Sequence, residues 1–429
     1  MGLLLALTLA LSPATIAASP GVELEKLIDT TVQLPGTTGP ILFDSVAPVA
    51  CGEGAVFYAI EDDIEARRGA YYVSSTTLQV IADPDTPVPD SDSAGTFLSV
   101  EDVRCVGEKL FFRGSEMAAP NRRWSIYRWA PGGYLNLVQK KDVDVGGRIV
   151  ESFLELSANR LGIAMRGRFA FPEPAPAQAM VVKPHEMALT LVADSSTVLP
   201  GQSQPVTIYS LPVLDGFDLW FRARTDLNIG LYRWSASHGI SIVADSDTPV
   251  PASAGTFLDF GLMVLLSEGL AFDATHAGGQ GVFIVRNGQI EPLVVLGDQT
   301  EDGETITAAY EASGGGGLLG FTGTTLEHPL PAVYARTVDG SIRRLLGTGD
   351  YVDGSQVVLI KARADASSVV FDVYTEEDPI RMILFRVQFG SSGVSIPAMS
   401  TAGLAALAVL LALAGYWMMA FRGLAGAGN

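Results

Sequence analysis

The phrase "VADSDTPVPASAGTF" at residues 243–257 nearly repeats "ADPDTPVPDSDSAGTF" at residues 82–97, and a chain that writes so specific a phrase twice is built from copies of one unit. Its Asp-x5-Pro core occurs four times, running from Asp29, Asp83, Asp194 and Asp245 to Pro35, Pro89, Pro200 and Pro251. The intervals between these aspartates, 54, 111 and 51, fit one, two and one units of a period somewhat above fifty. A short strand-like stretch centred on an aromatic residue gives the same period independently, at Phe57, Phe112, Phe221, Phe272, Phe321 and Phe371, with Met165 a degenerate member. A third marker follows each of these by ten to sixteen residues, at Tyr71, Tyr127, Val181, Tyr232, Phe283, Tyr334 and Phe385. Seven units result.

Each unit carries about four short segments rich in Val, Ile, Leu and aromatic residues, separated by Gly, Pro, Asp or Asn, with no long helical periodicity before residue 400. Four antiparallel strands repeated seven times predict an all-β chain, a seven-bladed β-propeller over residues 22–390, with an open β-solenoid as the structural rival. The chain ends favour the ring. Residues 24–36, "LEKLIDTTVQLPG", match only the last segment and turn of a unit, and the seventh unit, ending near "LFRVQFG" at 384, lacks that part. A propeller closed by an N-terminal strand explains the split and leaves no exposed sheet edge.

A hydrophobic content of 48% against 17% charged residues excludes a disordered chain. A net charge of -19 argues against nucleic acid or anionic lipid as a ligand of the main body and suits a cationic partner. Residues 1–18 read as a signal peptide, an apolar run followed by small residues, although no Lys or Arg precedes the run. Residues 402–421 form an uncharged apolar stretch long enough for a transmembrane helix, and Arg422 assigns residues 422–429 to a short cytoplasmic tail. Residues 391–401 link the repeats to this span.

No catalytic set and no cofactor motif emerges. "GGGLLG" at 315–320 fits GxGxxG by letter but leads into a strand, where a dinucleotide site requires a helix. His185, His238, His276 and His328 are isolated and read as loop residues. The aspartates of the repeated phrase read as turn caps between units, since Asp accepts hydrogen bonds from amides two residues on. A second reading has Asp83, Asp85, Asp90 and Asp92 supplying oxygen ligands to Ca2+, without the spacing of an EF-hand loop. Cys51 and Cys105 precede Phe57 and Phe112 by six and seven residues, so they occupy nearly equivalent places in adjacent units. They are either a disulfide or two buried thiols. The proline-rich "FPEPAPAQ" at 171–178 replaces a tight connection and either shields a sheet edge or meets a partner.

The stretch from Ile396 to Gly423 resembles the IPTL-CTERM sorting signals of Gram-negative bacterial surface proteins, with Ile396, Pro397, Ser400 and Gly403 in the places of its I-P-x-x-S-x-x-G opening. That resemblance implies a membrane span followed by basic residues, and handling by an envelope sorting protease. Ala398 and Met399 depart from the commonest residues, and the basic cluster is reduced to Arg422. The repeats are similar to tandem "ADxxTPVPG...GTF" units of exported bacterial proteins. Together these features predict an exported, membrane-anchored module that binds an unknown protein or glycan. A polysaccharide-active enzyme with its site at the channel mouth, or a structural surface component, are the alternatives.

Overall fold

The computed structural model describes residues 22–35, 41–43, 47–61, 68–91, 95–116, 124–130, 133–170, 177–185, 187–226, 228–376 and 381–389. Asp92, the signal segment 1–18, the sorting motif with Ile396, Pro397, Ser400 and Gly403, and the apolar run 402–421 all lie outside these residues. So does the cytoplasmic tail. The described chain is all-β, and none of its elements is a helix long and apolar enough to cross a membrane.

Successive stretches of about fifty residues fold into antiparallel meanders. Phe97–Val106, Lys109–Glu116, Trp124–Ala130 and Tyr134–Gln139 pair in that order. The pattern recurs over 148–194, 208–245, 257–294 and 306–347. In the meander over 49–82 the first position is shared by Val49–Cys51 and Ile41–Phe43, which both pair with Gly54–Glu61. The last meander has only three long strands of its own, Ser355–Ala364, Ser368–Thr375 and Arg381–Gln388. Its fourth is Glu25–Asp29, antiparallel to Arg381–Gln388 with Lys26 opposite Phe385 and Asp29 opposite Ile383. Short strands Val143–Val145 and Tyr351–Val352 add a fifth member to two sheets.

The expectation of one separate sheet per unit meets one exception. The meanders over 49–82 and 97–139 merge into a nine-stranded sheet through a single parallel pair, Arg68 with Ser99. Arg68 also reaches Glu101 at 2.8 Å, so an ion pair accompanies the backbone pairing where the third strand of one meander meets the first strand of the next.

Both faces of every meander are buried, because alternate side chains of a strand point to opposite neighbours. Val56 and Tyr58 pack with Phe97 and Phe112 of the following meander, while Phe57 packs backwards with Val370, Leu384 and Ile28. The alternation continues around the chain. Phe111 meets Met165, Ala164 meets Phe221, Trp220 meets Phe272, Ala271 meets Phe321, and Val333 meets Phe371. Each apolar cluster thus lies between consecutive meanders, and the cluster joining the last to the first completes the circuit.

The repeated phrase is the connector between meanders. Asp245 Oδ1 accepts from the Asp247 amide at 3.0 Å and the Thr248 hydroxyl at 2.9 Å. Val250 then donates to the Gly255 carbonyl, and Phe257 to the Thr248 carbonyl. Gly255, at φ 95°, makes the return that L side chains resist. Asp83, Asp194 and Asp29 close the same turn with Thr86, Ser196 and Thr31. The aromatic that ends the phrase then drops into the core: Phe97 sits edge-on to Tyr127 at 4.9 Å and Phe257 to Phe283 at 5.2 Å. A Cβ on Gly114 would stand 2.3 Å from the Phe97 ring, so the residue two beyond Phe112 has to be small.

Candidate functional site

The first strand of a meander is bulged, and four of these bulges free a backbone amide that a side chain of the preceding meander satisfies. Register shifts fall between Glu101 and Arg104, Phe153 and Glu155, Ser210 and Val213, Phe260 and Met263, and Tyr310 and Ser313. Asp102, Leu211 and Glu311 adopt φ near 55° there, the left-handed conformation that non-glycine residues resist. The amide of Val103 donates to the Tyr58 hydroxyl at 2.7 Å, that of Leu156 to Asp102 at 2.5 Å, that of Leu211 to Glu155 at 2.6 Å, and that of Ala312 to Asp273 at 3.2 Å.

Arginines answer the freed carbonyls, Arg113 that of Phe153 and Arg222 that of Phe260. The donors and acceptors Tyr58, Arg113, Arg222 and Asp273 each directly follow an aromatic marker of the repeat. Burial pushes Asp273 up to about 6 and Asp372 up to about 7, with the Glu311 charge adding to the first. Burial also raises Glu155 against the pull of Arg166 and the Leu211 amide. Their chemistry is chiefly architectural, since each carboxylate with a resolved partner is aimed at a backbone amide or an arginine of the ring.

A different kind of site opens between the meanders 49–82 and 97–139. A cavity of about 420 Å³ is lined by Cys51, Gly52, Glu53, Tyr72, Gln79, Gly107, Glu108, Leu110 and Trp129. Its inner wall is a pair of two-residue turns, Gly52-Glu53 and Gly107-Glu108, that occupy equivalent places in adjacent meanders. Gly52 and Gly107 have φ of 60° and 62°, so a left-handed residue opens each turn and a glutamate follows it. Cys51 and Cys105 are joined by a disulfide, with their Cα atoms 5.6 Å apart, which ties the two turns to each other.

The outer walls are the rings of Tyr72 and Trp129, 6.4 Å apart and inclined by 30°. Tyr72 stands directly after the marker Tyr71, at a place where the other units carry Arg128, Val182, Arg233, Ile284, Ala335 and Arg386. Burial raises the Tyr72 pKa, Arg386 opposes that rise and Glu53 adds to it. The sequence holds two signals for this site, the Gly-Glu pair repeated at an interval of 55 and the lone tyrosine at this register. Neither marks a site by itself, because only the folded interface shows that they share a cavity.

The remaining sequence candidates disperse. Asp83 Oδ1 is taken by its own turn, accepting from Thr86 at 2.6 Å and from the Asp85 amide at 3.2 Å. Among the described residues no three His, Cys, Asp or Glu side chains converge on a metal position, Asp83, Asp85 and Asp90 included. "GGGLLG" spans the hairpin between Ile306–Gly315 and Leu318–Thr325. The loop assignment of the histidines needs one correction. His276 ends the strand Gly269–His276 and is buried edge-on to Phe283, because the Gly278 amide donates to its Nδ1 and holds the ring inward. His238 and His328 are exposed, and His328 lies 3.2 Å from Glu304. Of "FPEPAPAQ", only Ala177 and Gln178 are described, and Gln178 accepts from the buried Tyr209 amide at 3.1 Å.

No family profile matches the chain, and no curated protein matches it. Several solved structures are similar to it at low identity. The β-propeller domain of the Trilobed protease from Pyrococcus furiosus, described as having an open velcro topology, is 11% identical with a TM-score of 0.49, over 81% of this chain and 95% of that one. A Mycobacterium tuberculosis puromycin-hydrolyzing peptidase is 10% identical with a TM-score of 0.41, over 76% of this chain and 58% of that one. A Trypanosoma rangeli sialidase is 8% identical with a TM-score of 0.39, over 87% of this chain and 59% of that one. The chain spans a little over half the length of these last two proteins.

Proposed function

We propose that the chain is a seven-bladed β-propeller, exported and held at the cell envelope by residues 396–422, and that it works as a binding module through the cleft walled by Tyr72 and Trp129. The blade count is supported by the core, whose seven apolar clusters each join two consecutive meanders. Export is supported by the apolar start and by the disulfide, a bond that persists in oxidising compartments. Anchoring rests on the apolar run 402–421 and on the resemblance of the segment before it to sorting signals.

The observation that carries the binding role is the cleft itself. It is a concave site of about 420 Å³, with two aromatic walls and a few polar groups, on strands and turns held rigid by a covalent bond. Screening the full-length protein in detergent against glycan and peptide arrays tests the role. Ligands competed away by Tyr72→Leu are expected, and a protein whose full ligand profile survives that substitution binds elsewhere. Fractionation with protease shaving tests the location, the repeats being expected on the outer side of the membrane.

A second reading, acid-base chemistry at the ring centre, is favoured by the raised Asp273 and Asp372. It predicts turnover of a polysaccharide substrate that Asp273→Asn abolishes.

A further inference from the structure

The lining of the Tyr72–Trp129 cleft narrows what it takes. Among the described residues its only charged members are Glu53 and Glu108, and no Lys or Arg contributes to the wall. Both carboxylates are solvent-exposed at the rim, whereas the rings form the sides. Neither glutamate is required by the fold, since each sits at the second place of a two-residue turn, where the backbone accepts many residues. The rest of the ring units put an arginine or an aliphatic residue at the Tyr72 register, so the aromatic wall is a local departure from the repeat.

We propose that this cleft binds a cationic side chain, lysine or arginine, presented by a partner polypeptide. This rests on the binding-module reading above and names the ligand class for that site. An ammonium or guanidinium group set against the partly exposed Tyr72 ring is attracted by its π system, and its charge is met at the mouth by the two carboxylates. The aliphatic stem of the same side chain lies along the partly exposed Tyr72 while its head stays near the rim. An anionic group would meet the Glu53 and Glu108 fields as well as the -19 charge of the whole chain, so phosphate and sulfate esters are excluded by sign. The disulfide joins the strand ends next to the two turns that carry the glutamates, so the turns are held together before the ligand arrives.

Titration calorimetry on the full-length protein in a neutral detergent decides the matter with three probes: the capped peptide Gly-Lys-Gly-Arg-Gly-Lys, its counterpart with Gln replacing each basic residue, and cellotetraose. The basic peptide is expected to bind, and the neutral peptide not. The double substitution Glu53→Gln with Glu108→Gln should weaken the basic peptide by about tenfold or more, as two charges facing a cation require. Asp226→Asn with Asp302→Asn removes the same net charge at remote exposed positions and should leave the affinity within about twofold, which separates a local site from attraction by the overall field. An unchanged melting temperature shows that both pairs of variants are folded. Equal binding by the Glu53/Glu108 variant, or equal loss in the remote variant, overturns the proposal. Tyr72-dependent binding of cellotetraose without the peptide overturns the cationic class and leaves the binding module standing. Binding of neither probe overturns the cationic class and removes this cleft as the module's site.

Discussion

Asp29 Oδ2 accepts a hydrogen bond of 2.7 Å from Arg381 Nη2, across 352 residues of chain. The contact sits where the N-terminal strand completes the last sheet, beside the backbone pairing of Asp29 with Ile383. Asp29 also receives Lys26 at 2.6 Å and the Thr31 amide at 2.9 Å, so one carboxylate serves the repeat's turn and the ring's closure together.

Replacing Asp29 with Asn should therefore destabilise the ring by about 1–3 kcal/mol at neutral pH, because Arg381 and Lys26 lose a mostly buried counter-charge. Burial pushes the Asp29 carboxyl up, but Arg381, Lys26 and Thr31 outweigh it and hold it well below the usual carboxylate range. A depressed pKa adds stability above the unfolded value near 4 and loses it as the pH falls toward the folded one. Thermal melts of the two proteins should lie furthest apart above about pH 5 and draw together progressively only as the pH falls below about 4. A constant gap across that range would show that the turn, and not the charge pair, carries the effect.

The Cys51–Cys105 bond encloses a separation of 54 residues. In the chain-entropy view it is worth about 3–4 kcal/mol. Cys51→Ser with Cys105→Ser should lower the chemical midpoint of unfolding accordingly, and reductant should lower the wild type to the same place. Wild type and variant with equal midpoints would place the bond's contribution in native-state strain that cancels its entropy.

How far the chain could be read in advance depends on which residues speak for more than one neighbour. The period was legible because Phe57, Phe112, Phe221 and Phe272 face the previous meander at the same register, and only large apolar residues fill that space. The closure was legible because "LEKLID" at 24–29 lacks the strands that precede it in other units. Strands buried on both faces, such as Gly54–Glu61, hide their alternation, so their residues do not reveal which side chain meets which neighbour. The merger at Arg68 and Ser99 and the bulges at Asp102, Leu211 and Glu311 were opaque for another reason. They depend on a backbone shift in one unit and a partner supplied by the preceding one, far back along the chain. The cleft was opaque in the same way, its two halves being contributed by separate units.

Tyr58→Phe isolates one of those contacts, since it removes the acceptor of the Val103 amide and almost nothing else. Tyr58 and Val103 are buried at 2% and 0% exposure, so no water replaces the lost oxygen without a rearrangement. The orphaned amide should cost about 1–3 kcal/mol, and hydrogen exchange should quicken at Val103 before it does at Phe112. A Tyr58→Phe variant that is as stable as the wild type would mean that the bulge re-pairs within its own sheet.

Asp372 gives the opposite pH dependence to Asp29. It is 4% exposed, and neither carboxylate oxygen makes a hydrogen bond of ordinary geometry among the described residues. Burial pushes it up to about 7, against the Tyr374 hydroxyl and the charges of Lys361 and Arg363. The folded state then holds a proton between the unfolded value near 4 and about 7 that the unfolded state has released, so stability falls as the pH rises through that window and levels off above it. At about 1.4 kcal/mol per unit the penalty has a ceiling of about 4 kcal/mol, and solvent or structural relaxation reduces it. Asp372→Asn keeps the shape and removes the charge. The variant should melt several degrees above the wild type at pH 8 and at the same temperature at pH 4. Wild-type stability that rises from pH 4 to pH 7 relative to the Asn variant would mean that Lys361 and Arg363 more than compensate the buried charge, and that Asp372 belongs to the ring's ion pairs and not to its strained sites.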